Sequence, residues 1–485
     1  MQLYNTLTHK KETFTPLTEG KVNMYVCGIT AYDLCHIGHA RSAVVFDVLV
    51  RYLRSTGLDV LFARNFTDVD DKIIKRANEE GLTSKEVAEK YIQTFYEDMD
   101  TLNILRADLE PKCTEHIDDM VTMCEKLIAK GKAYSTPSGD VYFRVREFKD
   151  YGKLSGRDVD DMRSGARIAP DDEKEDPLDF ALWKSAKPGE PSWESPWGAG
   201  RPGWHIECSA MSHRHMPQPL DIHGGGLDLI FPHHENEIAQ SEAANETEMA
   251  RYWVHNGFVQ IDSEKMSKSL GNFKTIRDIL ESYLPEVLRF FLLTKHYRSP
   301  IDFSFVAMGD AEKSIKRIYE TKLAVSNELN KSKWSKAALP EDVVKEYEDQ
   351  SAAFDAAMAD DMNTAGATGH IFSIVRLMNR IMEDKGMRKS EGAKTLFERF
   401  TTDLTKWSEI LGLFGLDAES FLHELKIKRA TRKNISIDAI EELMVQRLEA
   451  RKNKDFEAAD TIRGKLTDLG VDVRDTPTGP VWDVL

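Results

Sequence analysis

Between residues 21 and 65 the apolar pattern changes period twice, and no other stretch of the chain narrows the fold as far. Val22, Met24 and Val26 alternate with polar or mixed positions, as a half-buried strand does. Cys27-Gly28-Ile29-Thr30 then reads as a turn. From about 39 to 56, Val45, Val48, Leu49, Tyr52 and Leu53 recur at helical spacing, and Gly57 closes the helix. Residues 58–65 return to strand character, and Thr83-Ser84-Lys85-Glu86 forms a capping box that opens a further helix. Two consecutive strands joined by a helix run parallel, because only a crossover returns the chain to the same end of the sheet. The expected fold class is therefore α/β with a parallel sheet.

Further along, that grammar breaks off between 110 and 200. Residues 170–177 form an acidic stretch between two prolines, and 188–202 are rich in Gly, Pro and Trp, so the region reads as an insertion. Strand-like segments resume near 220–222 and 258–261. From about 307 to 414 the pattern is helical with sparse Gly and Pro, which indicates a bundle. Candidate strands at 471–473 and 481–484 flank a turn at 477–480. A chain of 485 residues accommodates about three domains. The expected division is 1–110 and 201–306 as two halves of the α/β domain, 111–200 as the insertion, 307–424 as the bundle and 425–485 as a small mixed C-terminal domain.

Composition enters where it excludes partners and compartments. No apolar stretch approaches the ~18 residues of a membrane span, and the first 14 residues lack the apolar core of a signal peptide. Five cysteines make no disulfide framework, so reduced thiols in the cytoplasm are expected. The net charge of −16 argues against nucleic acid for the chain as a whole, yet residues 426–454 carry a local surplus of +5. That surplus is either a solvated helical face or a basic surface for nucleic acid.

Three groups of residues carry chemistry. His36-Ile37-Gly38-His39 lies between the first strand and its helix. A helix N-terminus favours an anion, Gly38 permits close approach, and two imidazoles can donate to charge developing on a phosphate. Lys265-Met266-Ser267-Lys268-Ser269 places two ammonium groups on a small polar loop, either a clamp for a departing pyrophosphate or a solvated loop. Cys27, Cys208, His233 and Glu237 offer a donor set suited to zinc, with His233 and Glu237 sharing one helical face at i and i+4. Their spread matches no compact zinc-finger spacing, and buried thiols with a surface histidine are the alternative.

His-Ile-Gly-His followed far downstream by Lys-Met-Ser-Lys-Ser resembles the signature pair of class I aminoacyl-tRNA synthetases. The resemblance sharpens to the bacterial cysteinyl-tRNA synthetase family through Tyr25-Val26-Cys27-Gly28, residues 65–72 (NFTDVDDK), 202–211 (PGWHIECSAM), 224–229 (GGGLDL), 231–237 (FPHHENE) and Asp360-Asp361-Met362-Asn363-Thr364. It departs from the family at Ile29 and Ala31, where Pro and Val are usual. The resemblance implies a Rossmann-like catalytic domain with an insertion, then an α-helical bundle contacting the tRNA stem and a basic C-terminal anticodon-binding domain. It implies one zinc per chain on Cys27, Cys208, His233 and Glu237, binding the substrate thiolate. It further implies ATP, with Mg2+, held by Gly38, Asp228 and Lys268 and acted on by His36, His39, Lys265 and Lys268. Trp204 and Thr67 would meet L-cysteine, although Thr67 could as well cap a loop and Asp228 a helix. The product would be cysteinyl-tRNA(Cys), made by a cytoplasmic monomer without membrane contact. Trp482 is either a platform for an unpaired base or a buried anchor. Two rivals remain: the cysteine-adding ligase of mycothiol synthesis, which lacks the anticodon-binding part, and a non-catalytic zinc-stabilised RNA module.

Overall fold

A computed structural model describes the chain apart from residues 161–172, 262–263, 266–273, 332, 477–478 and 485. It forms two compact units. The first comprises Met1–Ile276, Leu292–Phe303 and Ala352–Gly369; the second comprises Arg277–Phe291, Ser304–Ser351 and His370–Leu485.

The first unit is built on β1 (Lys21–Thr30), α1 (Ile37–Ser55), β2 (Asp59–Thr67), α2 (Trp204–His215), β3 (Leu220–Gly226), α3 (Glu235–Asn245) and β4 (Ala250–Asn256). All four strands are parallel, in the order β4-β3-β1-β2. Strand β1 is covered on both faces, as a central parallel strand must be. Val22, Met24 and Val26 pack with Leu49 and Leu53 of α1 on one side, and Tyr25 packs with Cys208, Ile238 and Trp253 on the other.

Two expectations are corrected here. Cys27–Thr30 is not a turn: β1 continues through it, with Ile29 opposite Phe66 and Thr30 opposite Thr67 after a register shift. The glycine that suggests a turn marks a close approach instead. A Cβ on Gly28 would lie 1.5 Å from the Asn65 carbonyl oxygen, and the Gly28 N–H donates to Asn65 Oδ1 at 2.9 Å. The second correction is β4, which sequence reading omits. Its residues Tyr252, Trp253, Val254 and His255 are buried in succession, so no two-residue alternation announces it. Residues 258–261 belong elsewhere. Val259–Ile261 pairs in parallel with Ile301–Phe303 and antiparallel with Glu264–Lys265.

The insertion has a core of its own. Helix Ile117–Ala129 packs on a four-stranded antiparallel sheet of Ala133–Ser135, Val141–Phe143, Phe180–Ser185 and Gly200–Pro202, with Met120, Leu127, Phe143, Leu182 and Trp183 buried between them. The expected acidic loop lies outside the described residues at 170–172. Its Glu175 and Asp176 pair with Arg144 and Arg146, each at 2.7 Å.

Helices Phe305–Leu329, Glu341–Ala359, Thr364–Glu383 and Glu391–Leu411 realise the expected helical run. Helix Ala418–Arg432 crosses the expected boundary at 424/425. It is tied within the second unit by Arg429 and Arg432, which donate to the buried Glu312 at 2.5 and 3.0 Å. The terminal piece has helices Ile437–Lys452 and Phe456–Asp468 and the hairpin Val471–Thr476/Gly479–Val484. Ile440, Ile462, Leu466, Val473 and Trp482 form its core. The expected turn at 477–480 includes residues 477 and 478, outside the described set.

Candidate active site

A cavity of about 450 Å³ opens at the carboxyl ends of the parallel strands, where open α/β sheets bind ligands. Cys27, Gly28, His36, Gly38, His39, Trp204 and Asp228 all line it. Strand ends, the N-terminus of α1 and the first residue of α2 thus bring residues from 27 to 228 to one place.

Cys27 lines this cavity, and around its thiol four donors converge. Cys27 Sγ lies 3.5 Å from Cys208 Sγ and 3.2 Å from Glu237 Oε1. His233 Nε2 lies 3.7 Å from Cys208 Sγ and 2.9 Å from Glu237 Oε1. These spacings fit donors that sit 2.0–2.3 Å from a common tetrahedral centre. Among the described residues a second group, Cys27, His223, His234 and Glu237, also comes within ligand range. The first group is favoured because it offers two thiols, the donors a soft ion selects. It also leaves His223 as an outer partner, with Nε2 3.0 Å from Glu237 Oε2 and Nδ1 3.1 Å from the Tyr25 carbonyl. His205 plays the same part for His233, the two Nδ1 atoms lying 2.9 Å apart.

Electrostatics follows from this enclosure. Burial pushes the Cys27 thiol well up. The hydrogen bond from Cys27 holds the Cys208 thiol down at about 7, against burial. Burial also works against an ionised Glu237, but His223 and His233 prevail and hold it well below the usual carboxylate range. Burial opposes the charged form of His233 as well, yet Glu237 and Cys208 raise it to about 10. A divalent cation would replace the protons of this set with one compact positive charge.

At the other end of the cavity, the rings of His36 and His39 stack with centroids 3.7 Å apart. The structure refines what this motif does. His36 Nδ1 accepts from the Gly38 and His39 N–H groups at 3.0 and 3.3 Å, and His39 Nδ1 accepts from the His36 N–H at 3.3 Å. The first-turn amides expected to face an anion are therefore capped by imidazole. With Nδ1 accepting, each neutral ring carries its proton on Nε2, the donor a phosphate oxygen requires. Asp228 is exposed beside the cavity and caps no helix.

Trp204 is 41% exposed and stacks on His233 with centroids 4.3 Å apart. It is a wall, not a core residue. Thr67 stands apart: its buried hydroxyl donates to Glu207 Oε2 at 2.5 Å, and it is not among the cavity-lining residues. Lys265 lies in the short strand Glu264–Lys265, and Lys268 lies outside the described residues. Cys35, Cys113 and Cys124 are buried and outside any disulfide among the described residues; burial first, then Glu207, pushes Cys113 well up. Trp482 is the buried anchor of its two alternatives, 8% exposed, with Nε1 donating to Glu441 at 2.9 Å.

Sequence reading missed His223, His234 and His255. His234 Nδ1 meets His255 Nε2 at 2.8 Å, and His255 Nδ1 meets Thr6 Oγ1 at 2.8 Å. The available signal was a histidine directly after large apolar residues, Ile222 before 223 and Trp253-Val254 before 255.

Comparison with known proteins finds relatives over the whole length of the chain. Residues 13–313 match the catalytic domain of class I (C) tRNA synthetases, 353–415 a DALR domain, and 438–482 the anticodon-binding domain of cysteinyl-tRNA ligase. The chain is 70% identical to the cysteine–tRNA ligase of Nitratidesulfovibrio vulgaris strain DP4, over 100% of both chains. It is 57% identical to that of Lawsonia intracellularis, again over 100% of both. Among solved structures, methionyl-tRNA synthetase of Mycobacterium tuberculosis in complex with methionyl-adenylate shares the fold. The TM-score is 0.62 at 14% identity, covering 81% of this chain and 92% of that one.

Proposed function

The chain belongs to the cysteine–tRNA ligase family of class I aminoacyl-tRNA synthetases, and on that premise we propose how its residues divide the work. The activity is ATP-dependent attachment of cysteine to tRNA. A match at 438–482 to an anticodon-binding domain disfavours both the mycothiol-type ligase and the non-catalytic RNA module.

Cys27, Cys208, His233 and Glu237 hold one zinc ion. When bound, it supplies a soft Lewis acid that prefers a thiolate to a hydroxyl. Trp204 closes the amino-acid pocket over His233. His36 and His39 donate from Nε2 to the phosphates of ATP, whose Mg2+ arrives with it, while Asp228 accepts from the ribose and Gly38 lets the nucleotide approach. The cysteine carboxylate attacks the α-phosphate, and Lys265 and Lys268 stabilise the leaving pyrophosphate. Catalysis is positioning and charge stabilisation. Thr67, its hydroxyl bound to Glu207, supports the site from outside the cavity lining. The helical part meets the tRNA stem and the C-terminal domain reads the anticodon of tRNA(Cys). The enzyme works as a cytoplasmic monomer.

One observation carries this reading: two thiols, an imidazole and a carboxylate converge around Cys27, which lines the same cavity as a stacked histidine pair. Cysteine-dependent ATP–pyrophosphate exchange, followed by charging of total tRNA, tests it. No exchange with cysteine would overturn it. Lys268→Ala is expected to lower the exchange kcat on the order of 100-fold with a much smaller change in the cysteine KM, because its contact strengthens as pyrophosphate charge develops. An unchanged kcat would remove Lys268 from this role.

A further inference from the structure

We propose that Asp361 is a positioning residue for adenylation. Its carboxylate fixes the segment 295–299, on which both α1 and the strand region lining the nucleotide end of the cavity rest. The proposal builds on the reading of that end as the ATP site. Asp361 itself lines no part of the cavity.

The backbone at this point requires an outside hold. Asp361 and Met362 have φ of +58° and +51°, two successive left-handed residues with no glycine between them, a conformation that persists only where its surroundings enforce it. Met362 is buried in the core under the parallel sheet. The Asp361 N–H donates to the Gln2 carbonyl at 3.0 Å. Its carboxylate is fully buried, and every contact is a donor. Oδ1 accepts from the Tyr4 N–H and the Tyr297 hydroxyl, each at 2.8 Å. Oδ2 accepts from Arg298 Nε at 2.8 Å, with His296 Nε2 at 3.6 Å.

The opposite side of the same segment holds the catalytic elements. Arg41, two residues beyond His39, is 1% exposed. Its Nη2 donates to the His296 and Lys295 carbonyls at 2.9 and 3.4 Å, while Nε and Nη1 have no hydrogen-bond partner among the described residues. Those two carbonyls therefore carry the placement of the guanidinium, and with it the first turn of α1. Gly257, which lines the cavity, donates its N–H to the Tyr297 carbonyl at 2.8 Å. A Cβ there would meet the Arg298 and Ser299 carbonyl oxygens at 2.7 and 2.6 Å, so the segment sits directly against the cavity wall. One carboxylate on one side thus sets the height of carbonyls that hold both the histidine motif and the strand region beside it. A shift of a fraction of an ångström at His36 and His39 would weaken their contact to the reacting phosphate, while the zinc donors, on other elements, would keep their places.

Asp361→Asn separates these effects. Asparagine tolerates the left-handed conformation and retains an acceptor at Oδ1. It turns Oδ2 into an NH2 facing Arg298 Nε. The expected result in ATP–pyrophosphate exchange is a kcat on the order of 10-fold lower, with cysteine KM and zinc content within about 2-fold of wild type. Arg298→Met removes the donor from the other side and should lower kcat similarly. The double variant should lose no more than either single, since both break one linkage. Wild-type kcat in D361N or R298M, additive losses, or cysteine KM and zinc content falling in step with kcat would overturn the proposal. Should D361N fail to fold, R298M alone decides. Wild-type enzyme without cysteine-dependent exchange would instead sink the functional reading on which this rests.

Discussion

Cys208→Ser is expected to abolish cysteine activation at working concentrations, lowering cysteine-dependent exchange by on the order of 1000-fold or more, while the fold persists. Serine differs from cysteine only by oxygen for sulfur, and an apolar pocket separates such near-isosteres by about 100-fold at best. Discrimination by a zinc ion on the proposed donor set would therefore carry more than pocket shape can. Cys208 is a buried member of that donor set, and its thiol is held at about 7 by Cys27. A serine hydroxyl in its place would not ionise there, so zinc affinity falls with it. The fold should survive, because Glu237 retains His223 at 3.0 Å and His233 at 2.9 Å, so no buried carboxylate is left uncompensated. Chelation of the wild-type enzyme should reproduce the loss. The measurements are metal content, circular dichroism, and exchange with cysteine and with serine. A metal-free protein that activates cysteine at full rate and still rejects serine would refute the assignment.

Removal of residues 435–485 should leave cysteine adenylation within about 2-fold of wild type and reduce tRNA charging by on the order of 1000-fold, the range that a specific recognition module contributes. The cut falls between helix Ala418–Arg432 and helix Ile437–Lys452 and removes the core around Ile440, Leu466 and Trp482, leaving only the small Ala430 of that cluster. Asp483 is lost, but Arg429 keeps Glu312 at 2.5 Å, so the cut exposes no unpaired buried charge. Equal loss of both activities would mean that this piece is needed to fold the enzyme. Affinity for tRNA should also fall with salt, with a slope below that of a surface using all nine basic side chains of 426–454. Arg429 and Arg432 face Glu312, and Arg447 and Arg451 face Asp475. These four are already paired within the protein.

The same four arginines show where local reading stops. Counting charges over 426–454 gives a basic surplus, but Glu312 and Asp475, which offset part of it, stand outside the segment. The turn expected at Cys27–Thr30 failed for a related reason. Glycine is read as freedom to bend, whereas Gly28 is there because the Asn65 carbonyl passes too close for a Cβ.

What the sequence determined by itself is whatever depends on neighbours along the chain. The strand–helix–strand order of β1, α1 and β2 follows from period-two and 3.6-residue spacing, and the cap at Thr83 and Glu86 from residues three apart. The family was legible because its motifs stand in the chain as short strings, such as those at 36–39, 202–211 and 231–237. Only the tertiary structure decided that His223 holds the far oxygen of Glu237 and that His205 backs His233. It also decided that the Thr67 hydroxyl turns to Glu207, and that Asp361 supports α1 through Arg41. Those outcomes depend on side chains up to about 300 positions apart meeting at one distance and angle. Periodicity along the chain carries no information about such meetings, because they are set by how strands and helices pack once the core has closed.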